Sequence, residues 1–137
     1  MRIENVKEFD ERLDQAIAAV SEDERYATTL KALRLAREGT RFFDFEGGKA
    51  HFVRRLLRAD AKYPMHPLVA KIMIDVFEDG IENHKKYGLS GLGFLYYTGR
   101  AGEQNSEKAA YYFDMAESFS DKYDDLSESI MAMLVSE

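Results

Sequence analysis

Apolar residues in this chain recur at three- and four-residue steps wherever they cluster, and no stretch alternates apolar and polar residues convincingly. A period near 3.6 builds helices with one apolar stripe and gives a sheet no face to pair, so the predicted class is all-α. The first case is Val6, Phe9, Leu13, Ile17 and Val20, behind Asn5 and Glu8 at capping-box spacing. Ser21 and Glu24 repeat that spacing before Tyr26, Leu30, Leu33 and Ala36, and Gly39 supplies a stop. Two antiparallel helices joined by a tight turn are expected.

Phe42, Phe43 and Phe45 then fall in a segment closed by Gly47 and Gly48, read as an aromatic plug under a third helix from Lys49 to Tyr63. In that helix Phe52, Val53, Leu56 and Leu57 form the core side. His51, Arg54, Arg55, Arg58 and Lys62 form a cationic side. Pro67 suits the first position of the next helix, whose buried stripe is Val69, Ile72, Met73, Val76 and Phe77, with Gly80 as a weakening or an end. The segment from Ile81 to Tyr87 is polar and ambiguous. Leu126, Ile130, Met133 and Leu134 give a last amphipathic helix behind Asp125 and Glu128, expected to cap the end of the stack.

With 137 residues and 45% hydrophobic content the chain suits one domain. It has no cysteine, which excludes disulfides and thiolate metal sites and makes a reducing cytoplasm the simplest home. The charged start MRIENVKEFDERLD lacks the apolar run of a leader, and no window reaches the roughly 18 apolar residues of a membrane span. The net charge of −6 is unevenly spread: residues 1–30 carry −4, residues 31–62 carry +5 and residues 63–137 carry −7. Acidic flanks argue against general adhesion to nucleic acid, while a local anionic contact in the basic middle is allowed.

The stretch from Tyr87 to Phe119 holds five of the nine glycines and five of the eight tyrosines. Gly91 and Gly93 lie inside a helical pattern, where each costs about 0.5–1 kcal/mol relative to alanine, so another backbone is expected to approach closely there. Ala109, Tyr112, Phe113 and Ala116 form the facing stripe of a second short helix, and Thr98 to Asn105 the loop between. The order Leu92-Gly93, Tyr96, Gly99, Glu107-Lys108-Ala109, Tyr112-Phe113 and Ala116-Glu117 resembles the Sel1-like repeat, a relative of the tetratricopeptide repeat. Ala101 stands where the family has its second loop glycine, with Gly102 one place later, and Asn105 where it commonly has aspartate.

The resemblance covers residues 88–119, one clear repeat. It implies an α-α superhelix of about six or seven helices, with 1–137 a single helical-repeat-like domain and 120–137 its capping helix. Leu92, Gly93, Tyr96, Gly99, Ala109, Tyr112, Phe113 and Ala116 are then packing positions. Lys49-Ala50 echoes the second-helix motif, but Leu57 occupies the place of the alanine seven residues on. Since about three units are needed to bury a solenoid core, the other helices are expected to act as degenerate repeats and caps.

Recognisable chemistry is scarce. His51, His66 and His84 lack a second ligand at H-x-x-x-H spacing, so no metal is expected: His51 extends the cationic face, His66 sits in a proline turn and His84 is solvated. Gly88, Gly91 and Gly93 invert the dinucleotide fingerprint, and Ser90 reads as a helix-surface serine outside any nucleophile elbow. Asp75 with Asp79, and Asp121 with Asp125, read as wet helix faces. No cofactor is expected.

The remaining candidates are binding residues. Arg54, Arg55 and Arg58 suit forked hydrogen bonds to carboxylate or phosphate, or else pair with the chain's own acids. Tyr97 and Tyr111 are the outward members of the tyrosine cluster, suited to a groove that holds a peptide. By analogy the chain is expected to be a non-enzymatic interaction module or adaptor for a protein or peptide, with self-association to a homodimer and an enzyme with an unseen site as alternatives.

Overall fold

The computed structural model describes residues 3–135; the ends of the expected single domain, including residues 136 and 137 of the capping segment, lie outside them. Among the described residues there are seven α-helices and no strand, consistent with the all-α class. They are α1 (Val6–Val20), α2 (Ala27–Gly39), α3 (Phe45–Leu56), α4 (Pro67–Glu82), α5 (Lys86–Thr98), α6 (Ser106–Ala116) and α7 (Asp124–Val135), with a 3-10 turn at Glu24–Tyr26. None of them is long and apolar enough to cross a membrane. The described residues form two compact units, residues 3–73 and residues 74–135, so α4 contributes its first seven residues to one and the rest to the other.

In the first unit α2 packs on both α1 and α3. Asn5 caps α1 by accepting the Glu8 amide at 2.9 Å, and the Glu8 carboxylate reaches back to the amide of Glu4, one residue before the expected partner. Phe9, Leu13, Ala16 and Val20 are buried, and the Phe9 ring meets the edges of Phe45 and Phe52. Arg37 ties α2 to α1 through Asp14 at 2.9 Å and Asp10 at 3.2 Å.

Several sequence expectations are corrected here. Ser21 does not start α2: its hydroxyl donates back to the Ile17 carbonyl, and Asp23 caps the 3-10 turn instead. The cap of α2 comes from far away, because Asp60 accepts both the amide (2.6 Å) and the hydroxyl (2.7 Å) of Thr29. Helix α3 begins at Phe45 with Asp44 as cap, so Gly47 and Gly48 lie in its first turn, and it ends at Leu56, short of Tyr63. Only Phe45 of the three phenylalanines plugs the core; Phe42 is 79% exposed and Phe43 48%.

In the second unit α5 packs on α6 and α7. Gly80 does not end α4. That helix closes in a Schellman motif at His84, with φ of +58°, where the Lys85 amide bonds the Gly80 carbonyl and the His84 amide the Ile81 carbonyl. The backbone approach expected at Gly91 and Gly93 occurs at Gly88, where an added Cβ would stand 2.5 Å from the Phe77 carbonyl oxygen and 2.8 Å from the Ile81 nitrogen. Gly91 and Gly93 instead receive aromatic rings, Phe77 and Phe113 respectively. The expected hairpin of small residues against aromatics is present in α5 and α6, which bury Leu92, Ala109 and Ala116.

The loop between α5 and α6 follows from its glycines and its asparagine. Gly99 takes φ of +73° and returns its amide to Leu95, Asn105 returns its own to Tyr96, and the Asn105 side chain caps α6 on Lys108. Helix α7 starts at Asp124 rather than behind Asp125. Asp124 accepts the Asp121 amide and the Ser120 hydroxyl, while Asp121 accepts the amides of Tyr123 and, 35 residues back, of Lys86 at the head of α5.

Candidate functional site

The tyrosine cluster divides across the α5–α6 hairpin. Tyr96 stacks on Tyr112 at 5.9 Å with planes 8° apart, and Tyr111 meets the edge of Tyr112 at 5.5 Å. Residues 96 and 97 are successive on a helix, so with Tyr96 turned to the partner helix Tyr97 points away. Tyr97 is 51% exposed and Tyr111 60%. Burial and the neighbouring Tyr96 hydroxyl raise the Tyr112 phenol above its ordinary value.

The arginines belong to the first unit. Arg54 and Arg55 occupy the last turn of α3, where positive charge complements the carbonyl end of the helix, and Arg58 lies just past it. All three are exposed, and Arg55 and Arg58 form no ion pair among the described residues. They do not share the long cationic helix face expected of them, because α3 stops at Leu56 and leaves Arg58 and Lys62 in the following turns. His51 lies one turn before Arg54 and Arg55 on α3, and its ring packs over Gly39, 4.9 Å from the Phe43 ring. Desolvation there lowers its pKa, and the charges of Arg55 and Arg54 add to the effect.

The other histidines have structural work. His66 accepts the Leu68 amide on Nδ1 at the start of α4 and meets the Tyr26 edge at 5.6 Å, and His84 lies 5.8 Å from the Phe119 ring. Among the described residues no group of three His, Cys, Asp or Glu side chains is placed to hold a metal ion.

Three polar residues read as solvated are buried. Asp75 and Asp79 retain only 3% and 4% exposure on α4, and Ser90 on α5 shares a 2.5 Å hydrogen bond with Ser127 on α7. One turn of spacing on a helix is equally compatible with a wet face and with an inward polar strip. Only the packing of a second element decides.

That serine pair lies at the floor of a groove of about 400 Å³ between α6 and α7, which sequence reasoning missed. Phe113 and Ala116 of α6 and Met131, Ala132 and Val135 of α7 make its apolar walls. Asp114, Glu117 and Glu128 stand exposed on its rim, and Lys86 at one end. The available signal was a second apolar stripe on α7: Met131 and Val135 lie beside the buried Leu126, Ile130 and Met133, widening the apolar arc beyond what one core contact uses. A smaller cavity of about 180 Å³, lined by Ile74, Leu92, Leu95, Tyr96, Ala101 and Glu103, lies by the hairpin loop. Comparison of the chain with protein-family models, with curated proteins and with solved structures finds no match.

Proposed function

We propose that the chain is a non-enzymatic interaction module or adaptor of Sel1-like, tetratricopeptide-like character, a single helical-repeat-like domain working in the cytoplasm. It holds a protein or peptide on side chains carried by its helices, without a cofactor. The observation that carries this reading is the division of the tyrosines: Tyr96 and Tyr112 are spent on the hairpin's own stack, while Tyr97 and Tyr111 leave about half or more of their surface to solvent. Exposed tyrosines on a rigid helical scaffold offer large contact area at small entropic cost, which is the usual composition of an interface anchor. Arg55 and Arg58 add forked donors for carboxylates.

The test is recovery of partners from the source cell by the intact chain, by Tyr97→Ser with Tyr111→Ser, and by Arg55→Glu with Arg58→Glu. Loss of partners from either pair, with melting unchanged, supports the reading. Recovery unaffected by either pair overturns it.

A second reading, self-association, is favoured by Leu35, Phe42 and Phe43, three large apolar side chains left exposed on the first unit. Light scattering separates it: a dimer that Phe42→Ser with Phe43→Ser turns into monomer supports self-association, and a wild-type monomer at all concentrations dismisses it.

A further inference from the structure

We propose that the groove between α6 and α7 is a docking site for an amphipathic helical segment that sets basic residues beside its apolar stripe. The site is distinct from the exposed tyrosines and arginines of the preceding reading, and it stands or falls separately.

The length of the groove fits such an occupant. Ser127, Glu128, Met131, Ala132 and Val135 line it at steps of one, four, five and eight residues along α7, which spans about 12 Å, or two helical turns. Its walls are apolar, and a flexible thioether at Met131 adapts to side chains of different shape. An apolar stripe at i, i+3, i+4 and i+7 is the pattern that fills a two-turn groove between helices.

Charge selects among apolar helices. Asp114 and Glu117 on one side and Glu128 on the other are exposed, and among the described residues none of the three forms an ion pair. Lys86 is the only cation among the described residues that line the groove, and its nearby charge also acts on Asp124. The Asp121 amide and the Ser120 hydroxyl, with Lys86 after them, hold the Asp124 carboxyl below its ordinary value. An acidic segment laid in the groove would meet three uncompensated carboxylates. A basic one pairs with them at the rim while its apolar side chains displace water from Phe113 and Met131.

The experiment measures fluorescence anisotropy of a labelled Leu–Lys amphipathic peptide of about four turns on the intact chain. It is repeated with a Leu–Glu peptide of the same apolar stripe. Binding of the Leu–Lys peptide in the micromolar range is expected, weakened about tenfold or more by Glu117→Lys with Glu128→Lys. Glu11→Lys with Glu22→Lys makes the same change in net charge outside the groove and should leave affinity within about twofold. Met131→Glu should abolish binding while circular dichroism and melting stay those of the wild type.

Four outcomes overturn the proposal. They are no binding of the Leu–Lys peptide, equal binding of the Leu–Glu peptide, equal weakening by the two charge-reversed pairs, or a wild-type dimer in sedimentation that Met131→Glu dissolves. The last would make a second copy of this chain the occupant.

Discussion

Glycine and histidine carry the sharpest single-residue consequences. Helix α3 has Gly48 in its first turn, and a Cβ built there meets nothing within 4 Å. Gly48→Ala therefore gains helix propensity without a clash, and the expected result is about 0.5–1 kcal/mol of added stability in urea unfolding. Gly88→Ala is the opposite case, since the new methyl would press on backbone atoms of α4 that cannot rotate away, and a loss of about 3 kcal/mol is expected. At His51 the neutral imidazole is favoured in the fold because its charged form is desolvated and faces Arg55. As pH falls below the ordinary value of 6.5 the unfolded chain takes up that proton first, so stability declines from there down to the lowered pKa of the folded state and is fully present above 6.5. Melting curves between pH 8 and 5 should show this slope in the wild type and a flatter one in His51→Gln, and an imidazole proton titration should place the His51 midpoint below 6.5.

Two helices are started by carboxylates that follow them in sequence by about thirty residues. Asp60 holds φ of +51°, a conformation in which aspartate is tolerated better than most side chains, and from it reaches Thr29 in the first turn of α2. Asp60→Gly keeps the backbone conformation and removes the acceptor, so the loss it causes reports the cap alone, expected at about 1–2 kcal/mol in the denaturation midpoint. Asp60→Asn retains the left-handed tolerance and one acceptor oxygen and should lose less than half as much. Asp121→Ala should do to α5 what Asp60→Gly does to α2. These caps also mark the limit of sequence reading. The apolar stripes of α1, α4 and α7, Pro67 at a helix start, and the loop read from Thr98 to Asn105, whose first residue in fact closes α5, were legible because each is dictated by neighbours three or four residues away. Asp75, Asp79 and Ser90 were misread because local spacing is the same whether a polar side chain meets water or another helix, and Ser21 and Asp125 because cap-like spacing alone does not fix where a helix begins. Gly91 and Gly93 were read as close approach in kind, but the rings of Phe77 and Phe113 that provide it come from elsewhere in the chain. The groove was invisible for the same reason, since Phe113 and Met131 become neighbours only through α5, on which both helices pack.

Charge is partitioned between the two units of the molecule. Residues 3–73 hold 13 Lys and Arg against 12 Asp and Glu, a net of +1, whereas residues 74–135 hold 5 against 12, a net of −7. The α6–α7 groove lies in the acidic unit, so its field attracts a basic segment before contact and repels an acidic one. Such steering acts over roughly a Debye length, about 10 Å at 0.1 M salt and about 3 Å at 1 M, and so governs the encounter more than the seated complex. The exposed rim carboxylates pair in high dielectric and contribute little each once the helix is seated, while burial against Phe113, Ala116 and Met131 sets how long it stays. Stopped-flow association of the Leu–Lys peptide should therefore slow several-fold between about 0.05 and 0.5 M salt, with a dissociation rate that changes by less than about twofold. A dissociation rate that rises steeply with salt would instead mean that the carboxylates hold the segment in place and that the apolar walls contribute little.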